Sequence, residues 1–345
     1  MSDTAASHRE VDWRRAVEPF VGPNARRASF QMLTTLVPLA LTMWAIHSLV
    51  TTPAPLGLSP FVAHVLAVAL AFPAAGLLVR TFIIMHDCAH GSFFNSRRLN
   101  DIVGFATGVM TLTPFAQWRR DHALHHASSG DLDRRGHGDV PTLTVTEYLA
   151  KSPGAQRAYR TIRHPAVLLL GGPLHLALGQ RFRKPSKATR DKQMASVTLT
   201  NVALVAVIAI ALFLFGLKSV LMAYALPYYL AAMAGVWLFY VQHQFEDAYW
   251  TSHADWTYAD AALLGSTHLR LPRVLQWFTG NIGLHHVHHV APRIPNYRLQ
   301  NCHDANAMFA RSPVVTVRSG VAALRLALWD ESTKRMIRFC DVIDQ

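Results

Sequence analysis

The sequence predicts an all-α integral membrane protein, in which four transmembrane helices form two hairpins and a helical cytoplasmic cap holds a histidine-rich di-metal site. Three observations support this fold class. Hydrophobic residues make up 51% of the 345 residues and charged residues only 16%, which is little charge for a soluble domain. Charge-free segments of membrane-spanning length occur in two pairs. Three clusters of histidines lie outside these segments.

The charge-free segments have the length of membrane-spanning helices. No Lys, Arg, Asp or Glu occurs from Ala28 to Val79, and a proline-rich turn from Thr51 to Pro60 divides this stretch. Since about 20 apolar residues cross a bilayer as a helix, we expect two spans here. A second pair is expected on either side of Lys218. The four predicted spans are residues 30–50, 61–82, 196–216 and 219–241.

The cationic residues predict the orientation of the chain. Of the 33 Lys and Arg, five precede Ala28, sixteen lie between His86 and Lys192, and ten follow Phe245. Because cytoplasmic loops are rich in Lys and Arg, both termini and the central segment are expected on the cytoplasmic side. Contact with anionic lipid headgroups then accounts for the net charge of +12, and no nucleic-acid partner is expected.

The chain is expected to form a single domain, residues 1–345. A polar N-terminal segment, residues 1–27, has no apolar core of the kind found in cleavable signal peptides. Residues 86–192 and 243–345 form the predicted cytoplasmic cap. Two apolar segments of this cap, Pro165 to Gly179 and Leu99 to Phe115, are short for a span and are expected to lie at the membrane interface.

The histidine clusters have the spacings HxxxH, HxxHH and HxxHH, which predict metal binding. Residues at i, i+3 and i+4 share one face of a helix, so each cluster is expected to direct its imidazoles toward one point. Eight such donors are more than one tetrahedral ion binds, and they suit two transition-metal ions. The predicted ligands are His86 and His90, then His122, His125 and His126, and then His285, His288 and His289.

Other polar residues are interpreted relative to these ligands. His286 breaks the helical spacing and is not predicted to bind metal. Isolated histidines such as His8, His137, His253 and His303 are likewise not expected to be ligands, whereas His175 and His268 are weaker candidates for supporting positions. Metal-bound histidines usually donate their second ring N–H to a carboxylate or carbonyl. Asp87, Asp121 and Glu246 are each close to a ligand in sequence and are the candidate acceptors.

The motifs and their surroundings resemble the membrane fatty acid desaturase family, in particular the acyl-lipid type that includes delta-12 and omega-3 enzymes. The resemblance rests on HDCAHGSFF at 86–94, VQHQFED at 241–247, and GNIGLHHVHH at 280–289 followed by PNY at 295–297. It extends from about the second span to Tyr297. Ala89 stands where the commonest first box of the family has glycine, a change that adds one methyl group.

The resemblance implies the cofactor, the activity and one further ligand. The eight box histidines would bind two Fe ions, and His243, near the cytoplasmic end of the last span, would complete the site. The implied activity is an O2-dependent oxidoreductase reaction that introduces a double bond into an acyl-lipid substrate. Removing hydrogen from unactivated methylenes requires an oxidant made from O2, because no side-chain acid or base attacks such bonds.

The implied electron donor is a separate protein. The three cysteines form no CxxC pair, and the chain has no HPGG motif of a fused cytochrome b5, since His164 and Pro165 are followed by Ala and Val. A ferredoxin-like carrier is expected, as in similar bacterial enzymes, and the implied location is a bacterial inner (cytoplasmic) membrane.

Several alternatives stay open at this point. The same scaffold and spacing would serve an acyl-chain hydroxylase, epoxygenase or conjugase, or an alkane or carotenoid oxygenase. A non-enzymatic metal transporter or sensor is a hypothesis from another class, although transporters usually place polar ligands within the bilayer. Aromatic residues near the spans are candidates for the substrate pocket or for an interfacial belt, namely Trp118, Trp237, Tyr240 and Trp277. The double-bond position, the acyl carrier and the oligomeric state are not encoded in these motifs.

Overall fold

The computed structural model describes residues 13–136, 138–179, 181 and 190–342, so His8 and His137 lie outside it. Most of this chain is helical, as predicted. The helices, in chain order, are α1 (Trp13–Val17), α2 (Ala25–Thr51), α3 (Pro60–Ala89), α4 (Arg97–Met110), α5 (Phe115–Ser128), α6 (Val145–Leu149), α7 (Pro153–Ile162), α8 (Pro165–Leu174), α9 (Arg190–Val220), α10 (Leu226–His243), α11 (Tyr258–Leu264), α12 (Arg273–Phe278), α13 (His285–Val290), α14 (Asn296–Ala305) and α15 (Val317–Ala323).

Within the described residues, three helical stretches are long and apolar enough to cross a membrane: α2, α3 and the segment Asp191–His243. The first two contain the predicted spans 30–50 and 61–82. The third has 53 residues, and a straight helix of that length would measure about 80 Å, against about 30 Å for the hydrocarbon core. It is broken at Gly216, whose φ of 74° and ψ of 163° are open to glycine and not to helical L-residues.

Contacts along this third stretch show where each part of it lies. Near its start, Ser196 Oγ accepts a hydrogen bond from the Gln117 backbone N at 3.3 Å, close to the second histidine cluster. Just after the break, Ser219 Oγ lies 2.8 Å from His47 Nδ1 at the far end of α2. At its end, His243 returns to the histidine clusters. The segment therefore leaves the histidines and comes back to them.

Helices α2 and α3 pack through small side chains and one buried cation. Alanines at positions 63, 67, 71 and 74 of α3 are fully buried, a small-residue stripe of the kind that lets membrane helices approach closely. The buried Arg80 guanidinium donates to Thr35 Oγ1 of α2 at 3.1 Å and to the Trp277 carbonyl of α12, and it lies over the Trp277 ring. These contacts fix α12, which precedes the third histidine cluster, against the two helices.

The segments expected at the membrane interface are helical. Pro165 to Leu174 forms α8, and a π-helical turn continues it to Gly179. This helix packs closely on α10, since a Cβ at Gly172 would lie 2.9 Å from Val236 Cγ2. Leu99 to Phe115 falls mostly within α4, which packs against α3 and α5. Their position relative to a bilayer stays a prediction.

In the part of the chain that the structure describes, five short strands depart from the all-α expectation. They are β1 (Leu143–Thr144), β2 (His268–Arg270), β3 (Val314–Thr316), β4 (Leu328–Asp330) and β5 (Arg335–Ile337). β4 pairs in parallel with β1 and antiparallel with β5, while β2 and β3 form a separate parallel pair. Strands of two or three residues are too short for an alternating pattern to reveal them. They join the C-terminal segment to the region that carries the histidines.

Candidate metal centre

Four helices bring the nine predicted ligands together. His86 and His90 lie at the C-terminal end of α3, the second cluster lies on α5, His243 ends α10, and the third cluster forms most of α13. Before α13, Gly280 and Asn281 have φ values of 52° and 60°, and a Cβ at Gly280 would lie 2.8 Å from Ile83 Cγ2. This tight turn allows α13 to begin directly against α3.

Eight of the imidazoles form two groups of four, and in each group the ligand atoms all lie within 4.8 Å of one another. The first group is half-buried at His90 and His122, whereas all members of the second group are buried. Group one consists of His86, His90, His122 and His288, and group two consists of His125, His243, His285 and His289.

His126 lies beside group one. Its Nε2 atom is 3.1 Å from His122 Nε2 and 3.0 Å from His288 Nε2, and its ring stacks on His289 of group two at 4.1 Å between centroids. The expectation that each cluster points toward one position is therefore wrong for the second and third clusters. Each of them supplies imidazoles to both groups, because residues three and four positions onward diverge around a helix.

The facing ring nitrogens of group two fit a bound cation. His125 Nδ1 donates to Asp139 Oδ1 at 2.5 Å, and His243 Nδ1 donates to the Gly265 carbonyl at 3.1 Å. A neutral imidazole carries one N–H, so when both rings are neutral their Nε2 atoms, 3.2 Å apart, both present lone pairs. His243 Nε2 is also 2.9 Å from His285 Nε2. A cation between such lone pairs turns repulsion into coordination, and imidazole is a common ligand of transition metals.

Group one contains a comparable arrangement. His86 Nδ1 lies 3.1 Å from Asp87 Oδ1, which directs its Nε2 toward His122 Nε2 at 3.1 Å. The buried Nε2 of His90 has no hydrogen-bond partner among the residues that the structure describes. A buried polar atom without a partner is costly, and a metal ion in the group would remove that cost.

Burial keeps several of the predicted ligands in the protonation state that binds metal. Removal from water, followed by the effect of neighbouring imidazoles, lowers the pKa values of His126, His285, His288 and His289 well below the ordinary value. These side chains are therefore neutral at pH 7, as metal coordination requires.

Two carboxylates contact predicted ligands, one that was predicted from the sequence and one that was not. Asp87 lies next to His86 as predicted, and its second oxygen accepts from Asn296 N at 2.7 Å and Nδ2 at 2.8 Å. Asp139, which no motif or spacing singled out, accepts a hydrogen bond from His125 and lies in a loop fourteen residues further along the chain. A folded loop, and not helical spacing, brings it there.

The prediction for Glu246 is wrong. Its side chain is 65% exposed, and Oε1 lies 3.3 Å from Arg335 Nη1 at the surface. The reason is that α10 ends at His243 and the chain leaves helical geometry at Gln244, with φ of −118° and ψ of 87°. A carboxylate three residues beyond His243 therefore no longer shares its face. Asp121 precedes His122 on α5, and its role stays a prediction.

Two aromatic rings border the histidines. Trp118 stacks on His122 with centroids 4.3 Å apart, and Phe239 lies 5.4 Å from His125 and 5.5 Å from His243. The other aromatic candidates have partners elsewhere. Trp237 Nε1 donates to the Gly320 carbonyl, the Tyr240 hydroxyl contacts the Leu326 carbonyl, and Trp277 lies under Arg80.

His286 points away from both groups, as expected from its position. Its Nδ1 donates to the Thr267 carbonyl at 3.3 Å, and its Nε2 lies 3.0 Å from His303 Nδ1. His268 packs against His303 with centroids 4.7 Å apart. His268, His286 and His303 thus form a separate cluster. In these contacts His268 packs against His303 and not against a predicted ligand.

Comparison with known proteins gives the same family as the motifs. The profile of the family described as fatty acid desaturase matches residues 59–319. A fatty acid desaturase of Bacillus subtilis (strain 168) is 40% identical over 340 residues, covering 98% of this chain and 93% of the relative. The sn-1 oleoyl-lipid 12-desaturase of Synechocystis sp. is 28% identical over 231 residues, 66% of this chain and 64% of the relative. The sn-1 acyl-lipid omega-3 desaturase (ferredoxin) of Nostoc sp. (strain 36) is 30% identical over 237 residues, which cover 65% of this chain and 62% of the relative.

The family match covers well over half of the chain and includes every predicted ligand. The Bacillus subtilis relative aligns along nearly the full length of both proteins. The resemblance inferred from the histidine motifs is confirmed, and the chain belongs to the fatty acid desaturase family of oxidoreductases.

Proposed function

We propose that this chain is an acyl-lipid desaturase that holds two irons through nine histidines and receives electrons from a separate ferredoxin-like carrier. The observation that carries the proposal is the pair of Nε2 atoms on His125 and His243, which lie 3.2 Å apart in a buried cluster while both Nδ1 atoms face oxygen acceptors. Such a pair is suited to binding a cation, and the two groups of imidazoles supply donors for two cations. The relatives named as acyl-lipid desaturases support the choice of substrate class.

The proposed ligand sets are unequal. The first ion would take the four nitrogens of group one together with His126, whose Nε2 is within 3.1 Å of two members. The second ion would take the four nitrogens of group two. An all-histidine shell leaves coordination positions open, and imidazole suits iron. When bound, the irons supply the oxidizing power that breaking unactivated C–H bonds with O2 requires.

The protein supplies orientation and exclusion of water. Asp87, Asp139 and the Gly265 carbonyl each fix one imidazole ring by accepting its Nδ1–H. Trp118 and Phe239 provide apolar surfaces against the histidines on which an acyl chain can bury its methylenes. The overall reaction converts –CH2–CH2–, O2, two electrons and two protons into –CH=CH– and two waters.

We further propose four membrane spans in two hairpins, with the histidine site and both termini on the cytoplasmic side of a bacterial inner membrane. The break at Gly216 supports dividing the third apolar stretch into two spans. The contacts of Ser196 near α5 and of Ser219 near the far end of α2 support two passes in opposite directions. The concentration of Lys and Arg in the segments that carry the histidines supports the orientation.

Expression in a host that lacks polyunsaturated lipids tests the function. We expect new double bonds in the extracted lipids, located by mass spectrometry, and about two irons per purified chain. A His125→Ala variant should form no new double bonds. Hydroxylated or epoxidized chains would favour one of the sister reactions instead, and a protein that binds zinc and no iron would contradict the enzymatic proposal.

A further inference from the structure

We propose that a basic depression beside α13 is the docking surface for an acidic one-electron carrier protein. The inference rests on the proposed function, since it locates the partner of that reaction. The depression has a volume of about 840 Å³ and lies between α1 and the residues that follow the third histidine cluster. Three arginines and one glutamate are among the residues that line it: Arg14, Arg15, Arg293 and Glu18.

The charge of this surface fits an acidic protein. Arg14 and Arg293 are exposed and both line the depression, one on α1 and one beyond α13. Two separate chain segments thus present cations to the same concave surface. With three arginines and one glutamate the depression carries an excess of positive charge. Such an excess raises the association rate of oppositely charged partners, and the effect falls with ionic strength.

The floor of the depression is connected to the metal centre. Val290 and Ala291 line it and directly follow His289, a member of group two. The Tyr258 hydroxyl, also at the depression, donates a hydrogen bond to the His289 carbonyl at 2.6 Å. The Trp13 ring lies 5.7 Å from the Tyr258 ring. An aromatic pair and one hydrogen bond therefore link the surface to a ligand residue.

The depression lies at the same end of the helices as the histidines. Asn24, just before α2, donates through its backbone N to the Tyr297 hydroxyl at 2.7 Å, and Gln31 Nε2 donates to Asn296 Oδ1 at 3.0 Å. Asn296 in turn donates to Asp87. A carrier bound here would be on the side of the proposed membrane spans that holds the site.

The stoichiometry of the proposed reaction requires two carrier molecules to bind in succession during each turnover. Each turnover consumes two electrons, so two reduced carriers each give up one electron and leave oxidized. Together with O2, two protons and the two hydrogens removed from the acyl chain, these electrons form two waters. Because each oxidized carrier must leave before the next reduced one binds, a surface that binds its partner transiently suits this reaction better than a permanent complex.

Binding of a plant-type [2Fe–2S] ferredoxin to the purified protein in neutral detergent tests the proposal. The test variant is Arg14→Glu with Arg293→Glu. The control, with the same change in charge, is Arg157→Glu with Arg318→Glu, two exposed arginines on α7 and α15. We expect about ten-fold weaker binding for the test variant at low salt, less than two-fold at 0.5 M salt, and little change for the control. Metal-free protein should give the same ratios, because the surface does not depend on the ions.

Two further measurements separate the possible failures. If both variants bind ferredoxin equally, or if the test variant loses affinity only for vesicles containing phosphatidylglycerol, the docking surface is overturned. Single-turnover product formation after reduction with dithionite tests the reaction without a carrier. A test variant that forms product with dithionite but is reduced slowly by ferredoxin supports the proposal, whereas a wild-type chain inactive with both reductants would overturn the proposed function.

Discussion

The contact between Asp139 and His125 gives the sharpest test of the metal centre. Asp139 Oδ1 lies 2.5 Å from His125 Nδ1, and both side chains are buried, with 8% and 2% of their surfaces exposed. The Asp139→Asn variant keeps the size and shape of the side chain but removes its charge. The amide accepts the His125 N–H more weakly, or it presents its own N–H and forces the ring into the wrong tautomer.

The expected loss of metal affinity in the Asp139→Asn variant follows from the role of carboxylates that orient metal-bound histidines. Loss of a carboxylate that orients a metal-bound histidine typically costs 10–100-fold in metal affinity, or about 1.4 to 2.8 kcal/mol. Since His125 belongs to group two, the loss should fall on the second ion only. Group one keeps its ligands and the contact between Asp87 and His86. The variant should therefore approach one tightly bound ion per chain and lose most desaturation.

Metal titration of the metal-free protein, read by stoichiometry and by competition with a chelator, measures this difference. The Asp87→Asn variant is the matched control, and it should weaken the first ion instead. Glu246→Gln should affect neither ion, because that carboxylate lies at the surface beside Arg335. Equal weakening of both ions by Asp139→Asn, or no weakening, would refute the assignment of His125 to a separate second group.

Three further outcomes are expected. Metal-free protein should lose thermal stability as the pH falls from 7 toward 5. The reason is that the seven predicted ligands with lowered pKa values stay neutral when folded and are protonated when unfolded; they are His90, His122, His126, His243, His285, His288 and His289. Each contributes up to about 1.4 kcal/mol per pH unit below about 6.5. A melting temperature that rises on acidification would contradict this. Trp118→Ala should change the position or yield of the double bond, as measured by mass spectrometry, and Trp237→Ala should leave the profile unchanged. Gly104→Val should cost about 1–3 kcal/mol in unfolding experiments, because a Cβ there meets the Phe115 ring, whereas Gly154→Ala, in open space, should cost less.

The long helices could be predicted because their signal is local. The absence of charge between Ala28 and Val79 indicated two apolar helices, and Lys218 lies two residues from the break that occurs at Gly216. The helices themselves are longer than the predicted spans, since α3 continues through the first histidine cluster to Ala89. Hydropathy detects the part of a helix that suits lipid, and it gives no signal where the same helix continues among polar residues.

The cap was harder to predict because its contacts are between distant segments. Asp139 reaches His125 through a loop, and β1 pairs with β4 across more than 180 residues of sequence. No spacing rule applies to such pairs. Glu246 illustrates the opposite error, where proximity in sequence suggested a contact that the end of α10 prevents. His243 has no companion at helical spacing, and only the family resemblance pointed to it.

In the structure, the three histidines of each HxxHH cluster divide between the two groups and do not all point toward one position. Histidines at i and i+4 are about 40° apart around a helix, whereas those at i+3 and i+4 are about 100° apart. Accordingly, His122 and His126 bring their Nε2 atoms within 3.1 Å, as do His285 and His289. The i+3 members, His125 and His288, each join the opposite group. In the proposed centre, one helical turn would thus supply two donors to one ion and one donor to the other, and two such turns would connect both sites. Moving His125 to position 124 should therefore leave the second group with three imidazoles and weaken binding of the second ion in a metal titration, while the first group keeps all of its histidines.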